Sequence, residues 1–228
     1  PMLASQGLKS VVVTNGYVVT MNDRREIVER GAVVVKDARI VAVGPVEIAQ
    51  RFAAAETIDA RGAIVMPGMI NTHTHVSMTP FRGLGDDVPD RLRKLIFPLE
   101  KALVDRDLVY WGGLHGMVEM VEGGVTTFAD MYYFEDEVAR AAKAIGMRGV
   151  LGETILDFPA PDAPEPYGGF AYARAFIEKF RGDPLVTPAL APHAPYSLDV
   201  ERLKRVAREA EELDVPVLMH VAEMTDEV

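Results

Sequence analysis

Apolar, strand-like runs alternate with helical stretches through the larger part of this 228-residue sequence, and such alternation predicts an α/β fold with parallel strands and crossover helices. Five runs of this kind occur, each with polar or charged residues near its end, as in the strands of a (β/α)8 barrel. No G-x-G-x-x-G segment follows any of them, which argues against an open dinucleotide-binding sheet. We therefore predict a (β/α)8, TIM-like barrel over residues 67–228, preceded by a small β-sandwich domain over residues 1–66.

Short strands and turns dominate the first 66 residues. Asn15-Gly16 lies between two of these strands and predicts a hairpin, because both residues tolerate the positive φ of a type I′ turn. A second hairpin is predicted with its turn at residues 36–39. The predicted strands are residues 11–14, 17–21, 32–35, 40–43, 57–60 and 63–66. A sheet of this size is not expected to be stable unless it packs on something larger.

Helices are predicted in the larger part of the chain at residues 108–122, 135–145 and 200–213. The first carries Trp111 and His115 on one apolar stripe, so both side chains are expected to pack inside. Gly123-Gly124 and Gly146 follow the first two helices and suit left-handed caps.

The predicted barrel strands are residues 69–75, 126–130, 148–155, 186–193 and 215–223. A complete barrel takes eight strands and roughly 250 residues. The five strands predicted here would leave parallel edges uncovered, so we expect about three further strand-helix units beyond Val228. The proline-rich residues 159–169 are expected to form a loop over the barrel mouth.

Composition and charge exclude several classes of site and partner. The chain has no cysteine, so any metal must be held by imidazole and carboxylate groups. The formal net charge is −10 with no basic cluster to offset it, which argues against nucleic-acid or anionic-membrane partners. The sequence has no signal-like start and no apolar run of about 18 residues. We therefore expect a cytoplasmic protein that binds neither nucleic acid nor membrane.

Three histidines lie at the ends of predicted strands. His73 and His75 follow an apolar run that begins at Pro67-Gly68, and their i, i+2 spacing in a strand points both rings to one face. His220 lies near the end of the last predicted strand, where by itself it is more simply a core residue. Neutral imidazoles hold a zinc-like ion at about 2.0 to 2.1 Å. Taken together, His73, His75 and His220 are the predicted metal ligands.

Further polar groups are predicted at the same barrel mouth. Glu223 comes three residues after His220, so its carboxylate can reach over the metal without binding it, as a general acid/base would. An exposed loop glutamate is the alternative. His193 lies between two prolines and is expected either to bind a ring nitrogen or carbonyl of the substrate or to pack in the core. Asp130 and Glu153 end the second and third strands, where they face the mouth or cap a loop.

Four segments of the sequence carry a resemblance to a known family. They are Pro67–His75, Gly124–Met131, Ala191–Tyr196 and His220–Glu223. In this order they resemble the amidohydrolase superfamily, and most of all its branch of methylthioadenosine/S-adenosylhomocysteine deaminases, guanine-type deaminases and triazine hydrolases. The resemblance spans nearly the whole chain. It implies a (β/α)8 barrel beside a small β-sandwich, with one divalent metal ion, Zn2+ in the first place and Fe2+ or Mn2+ as alternatives.

The resemblance also implies roles for individual residues. It places the metal on the three histidines named above, the proton shuttle at Glu223 and a contact with the substrate ring at His193. Glu100 resembles a glutamate that binds ribose hydroxyls in adenosine-type members. Glu153 is a further candidate substrate contact. Some nucleoside deaminases of this branch have an arginine close to this position, near the substrate tail. An acidic residue here weakens the expectation that the protein recognises an amino-acid carboxylate. The family's sixth-strand histidine and eighth-strand aspartate are expected beyond Val228.

These features predict the metal-dependent hydrolytic deamination of an aminated heterocycle, namely a purine, an adenosine-type nucleoside or a pterin. Hydroxide generated at the metal attacks the amine-bearing ring carbon, and ammonia leaves. One alternative is the displacement of chloride or an alkylthiolate from a triazine-like ring. Another is a truncated, non-catalytic module. The expected partners are a small heterocyclic substrate and further copies of the chain in a homo-oligomer.

Overall fold

Residues 10–224 and 227 are described by a computed structural model of the chain. The chain divides into two compact units, with the boundary between Pro67 and Gly68. None of the described helices is both long and apolar enough to cross a lipid bilayer.

The first unit contains a five-stranded mixed sheet. Its strands are β1 (Val11–Val19), β2 (Ile27–Lys36), β3 (Arg39–Pro45), β4 (Glu56–Asp59) and β5 (Ile64–Val65). The order is β3-β2-β1-β4, with β5 also paired to β1, and a short 3-10 helix covers Val46–Arg51. The β1–β2 and β2–β3 pairs are antiparallel, whereas β4 and β5 run parallel to β1. The described residues of this unit form one sheet, so the predicted β-sandwich is not confirmed.

One of the two predicted hairpins in this unit is wrong. β1 runs straight through Asn15-Gly16, and the pair causes an irregularity in the β1–β2 ladder instead of a turn. Asn15 does adopt a positive φ of 54°, but a Cβ on Gly16 would lie 2.5 Å from the side chain of Val65, so close packing on β5 explains the glycine. The second hairpin is confirmed, with Asp37 and Ala38 at φ 50° and 60° between β2 and β3.

The second unit contains a four-stranded parallel sheet in the order β6-β7-β8-β9. Its strands are β6 (Met69–Thr74), β7 (Val125–Tyr132), β8 (Arg148–Ile155) and β9 (Val186–Pro192). Its α-helices are α1 (Phe97–Leu103), α2 (Arg106–Glu122), α3 (Glu135–Ile145), α4 (Gly169–Phe180) and α5 (Val200–Leu213). Strands and helices alternate from β7 onward, so the predicted α/β class is confirmed.

Side chains alternate between the two faces of this sheet. Phe128 of β7 and Leu151 of β8 are fully buried and pack with residues of α3 such as Val138. On the opposite face, a Cβ added to Gly152 would lie 2.9 Å from the Ala191 side chain of β9. One face of β8 therefore carries the core beneath the helices, and the other is packed closely around small residues.

The predicted fifth strand, residues 215–223, is not a regular strand. Only the single parallel bridge between Leu190 and Val217 connects it to β9 among the described residues. In a parallel ladder the neighbouring rungs would need backbone N–H groups two residues before and after Leu190. Those positions are Pro188 and Pro192, which have no N–H to donate. The segment therefore lies beside β9 without forming a full ladder.

Helix α2 buries a face other than the predicted apolar stripe. Trp111 is 64% exposed, and His115 is exposed as well. The buried positions are Val109, Gly112, Gly113, Gly116 and Met117. The apolar periodicity therefore predicts the wrong buried face for this helix, because the face that packs inside consists largely of glycines.

The glycine face of α2 lies against the short 3-10 segment Val76–Phe81, which directly follows His75. A Cβ on Gly112 would lie only 2.5 Å from the carbonyl oxygen of Ser77. The Ser77 hydroxyl in turn donates to the carbonyl oxygen of Val109 at 2.8 Å. This close backbone approach fixes the path of the chain immediately after His75.

We expect Gly112→Ala to destabilise the protein by about 1 to 3 kcal/mol, the range of overpacking in a tight core. Alanine favours helix by about 1 kcal/mol over glycine, but here backbone must move to accept the Cβ. Urea unfolding of the wild type and the variant measures the difference. Gly123→Ala at the C-cap of the same helix is the control, since its Cβ would lie 3.4 Å from the nearest atoms. Equal unfolding free energies for Gly112→Ala and the wild type would contradict this packing.

Candidate metal centre

Three histidines converge at the end of the second unit's sheet. One ligand nitrogen from each of His73, His75 and His220 lies within 4.8 Å of the others. The ring centroids of His75 and His220 are 5.1 Å apart, and each lies 5.0 Å from the ring of His73. β6 carries His73 and leads directly into His75, while His220 comes from the segment beside β9. The sequence-predicted convergence of the three rings is present.

Hydrogen bonds fix the ring nitrogens of two of these histidines. The Nδ1 atom of His75 donates to the carbonyl oxygen of Met131 at 2.6 Å. The Nδ1 atom of His220 donates to the carbonyl oxygen of His193 at 3.0 Å. In a neutral imidazole the other nitrogen is then an acceptor. The two Nε2 atoms face each other at 3.1 Å, so two lone pairs meet there when both rings are neutral.

This arrangement fits a bound cation. Two imidazole nitrogens on a tetrahedral zinc ion, with bonds of 2.0 to 2.1 Å, lie about 3.3 Å apart. The Nε2 atoms of His75 and His220 are 3.1 Å apart, close to that value. The donor set also suits zinc, because imidazole is a common ligand for it. The residues present therefore fit a divalent metal held by nitrogen.

Burial favours the neutral form of two of these rings, the form that metal binding requires. It lowers the pKa of His75 to about 4, although the hydrogen bond to Met131 acts in the opposite direction. Burial also lowers the pKa of His73, and the nearby His220 adds to this effect. Near neutral pH both rings therefore offer a lone pair.

Glu223 lies in the same cavity as His75 and His220. Its Oε2 atom accepts a hydrogen bond from the hydroxyl of Tyr196 at 2.8 Å. Tyr196 closes the Ala191–Tyr196 segment but was given no role by the sequence. Tyr196 lies three residues after the candidate substrate contact His193, and this was the signal in the sequence that it could belong to the site. The carboxylate of Glu223 is thus exposed to the cavity and oriented by a tyrosine.

The cavity has a volume of about 320 Å³. Besides His75 and His220 it is lined by His193, Glu100 and Glu223. The first of these three is buried, and its Nδ1 atom lies 3.1 Å from the Ser197 hydroxyl. Burial lowers the pKa of His193 to about 3, with further lowering from the nearby His220 and His75, so this ring also is neutral.

Glu100 is buried in α1 and accepts a hydrogen bond from the hydroxyl of Tyr133 at 3.2 Å. Burial raises its pKa to about 7, while hydrogen bonding from Tyr132 and Tyr133 acts to lower it. Glu100 therefore stands close to half ionised near neutral pH at the edge of the cavity.

Glu153 and Asp130 do not line the cavity, and the capping alternative describes them: each accepts a hydrogen bond from a backbone N–H just beyond a neighbouring strand, that of Glu135 and that of Val76 respectively. Both are completely buried, and Glu153 accepts a hydrogen bond from the backbone N–H of Glu135 at 3.0 Å, behind the sheet. Its neighbour Thr154 lines the cavity instead. Since alternate residues of a strand face opposite sides, Glu153 shares the helix-facing side of β8 with Leu151.

The comparisons with known proteins place the chain in a family. Residues 64–228 match the amidohydrolase family, and the chain belongs to it. It is 41% identical over 219 residues to the 5-methylthioadenosine/S-adenosylhomocysteine deaminase 1 of Syntrophus aciditrophicus, covering 95% of this chain and 49% of that protein. It is 42% identical over 221 residues to the 5-methylthioadenosine/S-adenosylhomocysteine deaminase of Syntrophobacter fumaroxidans, with coverages of 96% and 50%. The chain thus spans about half the length of the curated relatives it matches.

A solved structure gives the same picture. The crystal structure of an adenosine deaminase from Xanthomonas campestris, with bound zinc, matches at a TM-score of 0.91 and 38% identity. The match covers 96% of this chain and 50% of the other. The resemblance to the amidohydrolase superfamily is thereby confirmed.

We expect Glu100→Gln to stabilise the whole protein more at high pH than at low pH. An unfolded glutamate has a pKa of 4.5, against about 7 for folded Glu100, so folding takes up a proton between these values and stability falls as pH rises through this window. Glutamine removes this loss and still accepts a bond from Tyr133. Relative to wild type, the variant should gain about 2 kcal/mol between about pH 5 and pH 8.

Urea unfolding at both pH values measures this gain. Glu178→Gln, at an exposed position of α4, corrects for the loss of one negative charge. A gain for Glu100→Gln that does not change with pH would contradict the prediction.

Proposed function

We propose that this chain supplies the metal ligands and much of the substrate cavity of a hydrolytic deaminase that acts on an aminated heterocycle. The observation that carries the proposal is the approach of Nε2 of His75 to Nε2 of His220 at 3.1 Å, in the cavity that the carboxylate of Glu223 also lines. The names of the relatives support it, since the curated ones are called deaminases. A purine or an adenosine-type nucleoside is the preferred substrate class, with a pterin as the alternative.

His73, His75 and His220 would hold the metal, with zinc the preferred ion because the similar Xanthomonas structure contains it. Three protein ligands and an open fourth position are typical of catalytic zinc. When bound, such an ion lowers the pKa of water and polarises an electron-rich group of the substrate. Residues of this chain then have to position the ring and move the protons.

Glu223 is proposed as the group that moves the proton. Its carboxylate accepts a proton from the attacking water and delivers it to the amine nitrogen as the carbon–nitrogen bond breaks. A carbon–oxygen bond forms, one carbon–nitrogen bond is lost and ammonia leaves, so atoms and charge balance. The hydrogen bond from Tyr196 holds the carboxylate in place without occupying both of its oxygens.

His193 and Glu100 are proposed to bind the substrate. The neutral ring of His193 lines the cavity beside His220, where it can hydrogen-bond a ring nitrogen. Glu100 lies in the same cavity and has a carboxyl group suited to hydroxyls of a sugar. Glu153 is not part of this proposal, because its side chain is buried on the far face of β8.

The two units correspond to two proposed domains. We assign residues 1–66 to a small β-domain and residues 67–228 to the first part of a (β/α)8 barrel. The homo-oligomeric state remains a prediction.

Replacing Glu223 with glutamine should lower kcat of the whole protein at least about 100-fold, the scale of general acid/base catalysis. The zinc content should stay unchanged, since Glu223 is not one of the ligands. Tyr196→Phe, which removes only the orienting hydrogen bond, is the matched comparison and should cost about 10-fold or less. Ammonia release and bound zinc are measured for all three proteins. A Glu223→Gln protein with nearly wild-type turnover would refute the role of Glu223.

Turnover should depend on the metal and should release ammonia. Removal of the metal with a chelator is expected to abolish activity on aminated purines and adenosine-type nucleosides, and added Zn2+ should restore it. Assays of ammonia and chloride with purines, nucleosides, pterins and chlorinated triazines identify the leaving group. Chloride release without ammonia would favour a chlorohydrolase over a deaminase.

A further inference from the structure

Carboxyl groups are buried together behind the metal centre. Asp130 of β7, Glu135 of α3 and Glu153 of β8 are completely buried, and Asp162 of the loop before α4 is partly buried beside them. They surround the first turn of α3. Glu153 accepts from the backbone N–H of Glu135, and Asp162 accepts from that of Phe134 at 2.7 Å.

The four groups form two carboxyl–carboxyl pairs. Burial raises the pKa of Glu135, and the nearby carboxyl group of Asp130 raises it further; burial and the nearby Asp162 act in the same way on the pKa of Glu153. The oxygens without any other partner are Asp130 Oδ2, both of Glu135, Glu153 Oε1 and Asp162 Oδ1. Two ionised carboxylates have only acceptors and cannot bond to each other, so each pair needs one proton to share. Among the described residues, metal-ligand atoms come close enough together to hold an ion at the three histidines, but not at these carboxyl oxygens.

One of the two pairs is connected to the metal centre. The Oδ1 atom of Asp130 lies 2.6 Å from both the Thr74 hydroxyl and the Val76 backbone N–H. These two residues flank His75 on either side. The next residue of β7, Met131, provides the carbonyl oxygen that binds Nδ1 of His75. The end of β7 therefore holds both the backbone and the ring of one ligand.

We propose that Asp130 and Glu135 act together as positioning residues for the metal centre: they share one proton, and through Asp130 they hold the turn that orients His75. The inference rests on the metal site proposed above. Neither carboxyl group touches the metal or the substrate. Glu135 donates the shared proton to the outer oxygen of Asp130, which leaves the inner oxygen free to accept from the Val76 N–H.

The arrangement predicts which substitutions are tolerated. Asp130→Asn keeps an oxygen for the Val76 N–H and gains an N–H for the carboxylate of Glu135. Glu135→Gln likewise keeps a donor for Asp130. Glu135→Met fills the space but leaves the outer oxygen of Asp130 buried without a donor, and that oxygen can gain one only if the side chain moves. The turn at His75 would then shift.

The experiment measures zinc affinity of the whole protein by competition with a chelator, together with urea unfolding. Glu135→Met should weaken zinc binding about 10-fold to 100-fold, the usual effect of removing a group that orients a ligand. Asp130→Asn and Glu135→Gln should stay within about threefold of the wild type. Glu209→Met is the matched control: Glu209 is also a buried carboxyl group, but it accepts from Arg174 and Arg205 and not from Glu135 or the turn of His75, so its loss should lower stability and leave zinc affinity unchanged.

A second measurement does not need the apolar variant to fold. Infrared spectra should contain the carbonyl stretch of protonated carboxyl groups at neutral pH, and Glu135→Gln should remove part of that band. A wild type with no such band, or a folded Glu135→Met protein that binds zinc as tightly as the wild type, would overturn the inference. A wild type that binds no zinc would instead refute the proposed metal site itself.

Discussion

The approach of the His75 and His220 rings is the constraint on which the candidate metal centre depends. Nε2 of His75 and Nε2 of His220 face each other at 3.1 Å because the Nδ1–H group of each ring donates a hydrogen bond to a carbonyl oxygen and so fixes the ring's orientation. Those carbonyls belong to Met131 and His193, which lie at the ends of two different strands. A parallel sheet brings such ends to one edge, so the site exists only in the folded sheet.

Prolines in β9 take part in this geometry. Pro192 cannot donate to a neighbouring strand, and the regular ladder with the segment 215–223 is interrupted there. The carbonyl oxygen of the next residue, His193, instead accepts from both the backbone N–H and the Nδ1 of His220, each at 3.0 Å. The irregularity that weakens a strand thus directs a ligand toward the metal position.

Local sequence patterns predicted an element correctly where the preferences of adjacent residues decide its structure. They predicted it wrongly where packing against a distant segment decides it. The helix of residues 135–145 and its end at Gly146 agree with the structure, with Gly146 at φ 83°. Asn15-Gly16 has the dihedral preference of a turn, but packing on Val65 makes it part of a strand. The apolar stripe of α2 faces outward, because a flat glycine surface allows the backbone of residues 76–81 to approach more closely than large side chains would.

The order of residues was enough to predict that His73, His75 and His220 converge and that Glu223 faces the same cavity, because an H-x-H pair and strand-end polar groups are properties of the chain alone. It was not enough to place Glu153 and Asp130, whose direction depends on strand phase and on the helix packed behind. Nor did it indicate that Tyr196 would hold Glu223, 27 residues further along. Contacts of that kind exist only after distant segments have packed, since each side chain then takes the partner that burial leaves within reach.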